Sequence, residues 1–339
     1  MWLGLINFLD TIMKKTFIND VKSYIHRAIA HLVAVVLRKG AVYYPDNFRL
    51  WESKGYHITP VDFYYPVPDT RELMKNHPRP NRTVPGIDFR PEFQHQFLTE
   101  IAPQFAHEYN AFPLTKPTPH KSGILPDNTF YIENDAFVGI DPHAYHVMIR
   151  HFKPRTIIEV GAGNSTLLGS QASRLNKHTR YISIDPYYTY TTSCPSHSKE
   201  RSCGGIVESI QHNVEDLPIN FFKQLQKNDI LFIDSSHVIR ASGDVCFLIL
   251  EILPILEKGV IIHLHDIYLP FDYSKNLLVN IHYFWTEQYL LQAYLINNPT
   301  VEVMFGSKFV LDRYRDDVKR TFPNIRDYDG SASFWIRKC

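Results

Sequence analysis

From Asp141 onward, short apolar runs alternate with stretches whose apolar positions recur every three or four residues. That texture belongs to a parallel sheet with helices on both faces. It predicts strands at Thr156 to Val160, Tyr181 to Asp185, Gly205 to Ser209, Ile230 to Asp234, Val260 to His265, Val301 to Val310 and Ser333 to Arg337, seven in all. Helices are predicted after Ser165, around Pro218 to Gln226, from Gly243 to Leu256 and from Leu277 to Asn297, and the last two strands suit an antiparallel pair. Before this region the pattern is different. Between Pro60 and Pro126 lie 12 of the 22 prolines, which remove backbone donors and forbid long helices or central strands. Its aromatics, among them Phe63, Tyr64, Tyr65 and Phe97, argue for an ordered, irregular cap that wraps instead of forming a core.

Three segments follow: a helical arm over 1–40, a proline-rich cap over 41–133 and an α/β domain over 134–339. With 339 residues, 44% of them hydrophobic, the chain can bury a sizeable core. A formal charge of +1 gives no global field for polyanions, so nucleic acid is not an expected partner. The four cysteines, Cys194, Cys203, Cys246 and Cys339, form no C-x-x-C pair, and a cytoplasmic location is the default. Cys194, Cys203 and His197 lack a fourth ligand for zinc and read as a surface loop. The arm is set apart by charge: six Lys/Arg against two acids give +4, which leaves −3 for the rest. It is expected either to pack on the body or on a second copy, making a homodimer, or to lie as a basic amphipathic helix on a membrane surface.

The stretch IIEVGAGNST, Ile157 to Thr166, places Glu159 two residues ahead of a glycine turn. A dinucleotide fingerprint needs glycine where Thr166 stands, and Glu159 repels phosphate while welcoming a cation. Ligands of open parallel sheets bind beyond the C-terminal strand ends. Those ends carry Glu159, Asp185, Asp234 and the pair His265 and Asp266. Asp185, 22 residues after Gly163, stands where an acid meets a ribose diol, while Glu159, Gly161, Gly163, Asn164 and Ser165 would face a cationic amino acid. A nucleoside joined to such a group is S-adenosylmethionine.

At these residues the chain resembles the class I methyltransferases, with EVGAGNST and ISIDP as its first two motifs. Further segments, WESKGYHITPVDFYYPVPDT, FIDSSHV, LHDIYLP and FWTEQYLLQAYL, are similar to a mostly uncharacterised bacterial group, over roughly residues 42–338. A more distant similarity reaches metal-using O-methyltransferases of the catechol and macrolide-sugar kinds, which place acids after the fourth and fifth strands. The resemblance implies an α/β, Rossmann-like seven-stranded methyltransferase sheet behind an N-terminal helical and proline-rich cap; it says little of the acceptor, for which an oxygen of a small molecule or saccharide is expected.

Two ways of activating an acceptor hydroxyl stay open. His237 can act as general base, since a free imidazole takes a proton near neutrality; or Asp234, His265 and Asp266 can hold Mg or Mn. Acceptor contacts are expected from Tyr268, Trp285, Glu287, Gln288 and Tyr289, with Tyr56, His57 and Tyr65 from the cap. Asn134, Asp135 and Phe137 resemble a segment that closes over the cofactor. N-methylation and a non-catalytic scaffold are the rival readings.

Overall fold

A computed structural model describes residues 20–35, 45–77, 83–116, 129–187 and 207–339. The chain divides into two compact units, Met1–Asp69 and Thr70–Cys339, so the stretch 41–133 is shared between them. In the first unit, residues 20–35 and Pro45–Ser53 are helical. Cys194, Cys203 and His197, and residues 1–19 of the arm, lie outside the described residues.

The second unit is organised by one seven-stranded sheet in the order β3-β2-β1-β4-β5-β7-β6. Its strands are β1 Thr156–Val160, β2 Arg180–Ile184, β3 Val207–Ile210, β4 Ile230–Ile233, β5 Ile261–Leu264, β6 Val301–Gly306 and β7 Phe334–Lys338. The first five run parallel, and β7 pairs antiparallel with both β5 and β6. Central strands of such a sheet are covered on both faces and favour apolar side chains. β4 meets this with Ile230, Leu231, Phe232 and Ile233, all at most 1% exposed. The four acid-bearing ends belong to β2, β1, β4 and β5, which are neighbours in the sheet, so the folding pattern gathers them along one rim.

The cap contributes more to the core than its prolines suggest. Pro91 and Pro103 sit in the first turn of short helical segments, where a missing N–H costs nothing. The run from Pro91 to Tyr109 buries Phe97, Leu98 and Tyr109 completely. Gln94 Oε1 accepts the Gly306 N–H at 2.8 Å, and Tyr109 donates to the Thr321 carbonyl at 2.9 Å. The expectation that the whole stretch wraps outside the core is therefore corrected for these residues.

Three elements differ from the pattern-based expectation. The chain leaves β6 at Gly306 and continues as a helix over Ser307–Arg313; the apolar run through Phe309, Val310 and Leu311 is buried in either conformation, and periodicity alone does not separate the two. Ile219–Gln224 is a 3-10 helix. The helix expected over Leu277 to Asn297 is broken: a π-helical segment Asn276–Ile281 stops at His282, φ 64°, and an α-helix resumes at Glu287. The cause of the break is a docking contact, since the N–H groups of Thr286 and Glu287 bond the His237 carbonyl at 2.8 and 3.0 Å.

Candidate active site

The turn after β1 ties three strand ends together. Gly161 adopts φ +88°, and a Cβ there would lie 2.0 Å from the Asp234 carbonyl oxygen; only glycine takes this place without strain. Its N–H bonds the Ile184 carbonyl at 2.9 Å, and the Asp234 N–H bonds that of Val160 at 2.9 Å. Asp185 accepts the N–H of Ala162 at 2.9 Å and of Tyr187 at 2.7 Å. At Gly163 a Cβ would meet nothing within 4 Å. Asn164, one residue on, donates to Asn134 Oδ1 at 3.0 Å, and that same oxygen accepts the Phe137 N–H at 2.7 Å. The segment around Asn134 is thereby fastened to the glycine turn. Between the strand ends lies a cavity of ≈ 270 Å³ whose wall includes Gly161, Asp185, Asn213, Glu215, Asp234 and Asp244.

Glu159 does not open into this cavity. It is fully buried, with Oε1 accepting from the Ser165 hydroxyl at 2.6 Å and Oε2 from the Tyr181 hydroxyl at 2.8 Å; Tyr181 also meets the Tyr145 hydroxyl at 3.0 Å. Its place is beneath the turn, holding the start of the helix Asn164–Asn176 against β2, and not facing a cationic ligand. Burial raises its pKa to about 7, with hydrogen bonds from Ser165, Thr166 and Tyr181 offsetting part of the rise. A folded-state pKa above the unfolded one stabilises the fold most below pH 4.5, and that contribution is lost as the pH rises through about 7. Over such a shift the loss is roughly 3 kcal/mol at most, at 1.36 kcal/mol per unit. Glu159→Gln, which keeps a polar group between the hydroxyls, is expected to flatten this slope in thermal melts; parallel profiles for both proteins would place the proton elsewhere.

Beside the cavity stands a cluster of acids and imidazoles. Ligand atoms of Asp234, His237 and Asp266 all lie within 4.8 Å of one another. His237 Nε2 is 3.2 Å from Asp234 Oδ1 and 3.5 Å from Asp266 Oδ2, while its Nδ1 is 2.8 Å from Glu287 Oε2. His237 and Asp266 both have left-handed backbones, φ 61° and 56°, a costly conformation for such residues that clusters at functional sites. Asp244 secures the loop, accepting the Ser236 N–H at 2.7 Å and its hydroxyl at 2.6 Å.

The charges in the cluster are mutually dependent. Burial works against a charged His237, but hydrogen bonds to Asp234 and Glu287 outweigh it and raise its pKa to about 10. The proton held there has to leave before His237 can take one from a substrate or bind a metal ion. Asp234 resists burial in the same way, kept ionised by His265 and His237. Burial raises Glu287.

His265 occupies a different position from the one its neighbour Asp266 suggests. It is 5% exposed, its Nδ1 stands 3.7 Å from both Asp234 and Asp266, and its Nε2 lies 3.5 Å from Asp141. The set in ligand geometry therefore contains His237 in place of His265, a correction to the metal set Asp234, His265 and Asp266. Asp141 escaped the sequence reading. It is 1% exposed and accepts the Ser307 hydroxyl at 2.5 Å and the Ala332 N–H at 2.6 Å; an acid opening a helix reads as an ordinary N-terminal charge, and no sequence signal separates the two.

The expected acceptor residues divide. Trp285 is half-buried with its ring 4.5 Å from that of His237, and Tyr268 lies under Lys308 at 4.7 Å. Glu287 is buried against His237. Gln288 is buried too, committed to the Tyr268 N–H at 2.8 Å and the Phe271 carbonyl at 3.2 Å. Both brace the site and do not line it. Tyr289 donates to Asp272 at 2.6 Å. Tyr56, His57 and Tyr65 belong to the first unit, where His57 bonds Glu52 at 3.1 Å.

Residues 158–267, which span the glycine turn, Asp185, Asp234, His237 and Asp266, match the family described as a methyltransferase domain. This stretch is similar to the methyltransferase domains of that family. Its seven-stranded sheet is the one the resemblance implies. The chain is also 28% identical over 188 residues to an uncharacterised protein of Archaeoglobus fulgidus, covering 52% of this chain and 77% of that one. Among solved structures it is similar to the SAH-bound methyltransferase PaMTH1 of Podospora anserina, with a TM-score of 0.38 and 14% identity over 84% of this chain and 99% of that one. No described helix is long and apolar enough to cross a membrane.

Proposed function

We propose that the methyltransferase domain transfers the methyl group of S-adenosylmethionine to a hydroxyl oxygen of a small molecule or saccharide, with Mg²⁺ or Mn²⁺ held by Asp234, His237 and Asp266. The observation that carries this reading is the double membership of Asp234, which lines the cavity beside Asp185 and belongs to the ligand cluster. The donor set fits a hard divalent cation. The two carboxylates suit Mg²⁺ or Mn²⁺, with the imidazole as a softer third donor, and Glu287 on the far nitrogen of His237 is the carboxylate that metal-bound imidazoles regularly engage.

S-adenosylmethionine supplies an activated sulfonium methyl, and a divalent cation supplies Lewis acidity toward a hydroxyl. The chain's own groups supply position. Asp185 accepts the ribose hydroxyls at the rim of β2, and Gly161 lets the turn approach the amino acid end. Glu287 fixes the His237 ring so that Nε2 faces Asp234 and Asp266. Trp285 and Tyr268 restrict the acceptor's approach, and alignment of reacting atoms is worth roughly 7–11 kcal/mol where it is complete. In the transfer the S–CH₃ bond breaks with its electron pair going to sulfur, an O–CH₃ bond forms, and the hydroxyl proton is lost to solvent.

Asp185→Ala is expected to weaken cofactor binding by about 1–3 kcal/mol, because ribose hydroxyls lose a charged acceptor. Calorimetry showing wild-type affinity would remove Asp185 from the site. The reaction itself is tested with methyl-labelled S-adenosylmethionine and a panel of catechols and saccharides, followed by NMR of the product. An O-methyl signal supports the reading, and an N-methyl product on amine acceptors would contradict it.

A further inference from the structure

The helix over 20–35 is not explained by methyl transfer. It exposes Val21 (42%), Tyr24 (77%), Ile25 (51%), Ile29 (54%), Leu32 (67%) and Val35 (69%). At about 100° per residue these six side chains fall within an arc of roughly 140°, a single apolar stripe of the width that globular helices bury against a core. Lys22 and His26 flank the stripe on one side, and Arg27 and His31 on the other. A stripe of six large apolar side chains left in water is the signature of an interaction surface.

Charge identifies the partner. The first 40 residues carry +4, whereas the remaining 299 carry −3; the described helix itself carries Asp20, Lys22 and Arg27, net +1, with Lys22 on one border of the stripe and Arg27 beside Asp20 on the other. A purely apolar partner would gain nothing from these cations. An anionic lipid surface uses both features, because the acyl boundary takes up the apolar face and the phosphate headgroups attract the flanking cations Lys22 and Arg27. The described helix spans about 24 Å at 1.5 Å per residue and is not long and apolar enough to cross a membrane; it fits a position in the plane of the interface. We infer that the helix over 20–35 docks the chain on an anionic lipid surface. A second copy of the chain is the competing occupant.

The test uses the full chain with vesicles of phosphatidylcholine alone or mixed with phosphatidylglycerol. Co-sedimentation is expected with the mixed vesicles, at least about tenfold weaker with phosphatidylcholine alone, and sharply reduced by salt, which shortens screening from about 10 Å at 0.1 M to about 3 Å at 1 M. Ile25→Glu combined with Leu32→Glu alters exposed positions only, and is expected to reduce binding at least about tenfold while melting temperature and cofactor binding stay unchanged. Should the double variant fold poorly, Arg27→Glu is expected to weaken binding to the anionic vesicles alone. Absence of co-sedimentation at low salt overturns the inference, as does binding unaffected by these substitutions. So does a dimer in sedimentation equilibrium that dissociates in the double variant while vesicle binding is absent, which would assign the stripe to a second copy.

Discussion

Exhaustive chelation of divalent cations is expected to lower methyl transfer by at least about 10²-fold, and Mg²⁺ or Mn²⁺ to restore it. The expectation follows from the disposition of Asp234, His237 and Asp266 within 4.8 Å, with Glu287 Oε2 2.8 Å from the far nitrogen of His237. Binding can be read without turnover. Mn²⁺ titrated into stripped protein and followed by electron paramagnetic resonance is expected to occupy one site per chain. Asp266→Ala should abolish that site, and Glu287→Gln, which removes the charge steadying the far nitrogen of His237, should weaken it about 10–100-fold. Full turnover after chelation would contradict the metal and return His237 to the role of base.

Gly161→Ala is expected to remove measurable cofactor binding. A side chain there would meet the Asp234 carbonyl oxygen at 2.0 Å, with the backbone at φ +88°. The obstacle is main chain, so it cannot rotate aside as a side chain could. A strained left-handed residue costs about 1–3 kcal/mol, and displacement of Asp234 adds a disturbance to the cavity and the acid cluster together. Thermal melting and calorimetry with S-adenosylhomocysteine, the demethylated product, check both effects. Near-normal affinity in this variant would show that the turn does not hold the cofactor.

The sheet was legible because its strands announce themselves. Ile230 to Ile233 is a short apolar run closed by Asp234, and Ile261 to Leu264 is a run interrupted once, at His263, and followed by His265 and Asp266. What the chain places at the strand ends was less legible. Glu159 shows a carboxylate before a glycine turn, but its partner Tyr181 lies 22 residues away and reaches it only through the pairing of β1 with β2. His265 and Asp266 look like a unit in sequence; at the end of β5 they keep contact at 3.7 Å, but His265 turns its other nitrogen to Asp141 while Asp266 also reaches His237. The presence of His237 in the ligand set depends on a left-handed residue at 237 and on the helix interruption after which the Thr286 and Glu287 N–H groups bond its carbonyl, neither of which leaves a periodic trace. The continuation of β6 into a helix at Ser307 failed for a simpler reason, since buried helix and buried strand share the same apolar composition.

Calorimetric titration of the chain with S-adenosylmethionine and with S-adenosylhomocysteine, repeated for Asp185→Ala, tests the central claim most directly. One site per chain for each ligand is expected, with Asp185→Ala weakened by roughly 5–150-fold, the equivalent of about 1–3 kcal/mol. No heat of binding from either ligand to the folded wild-type chain would contradict the account.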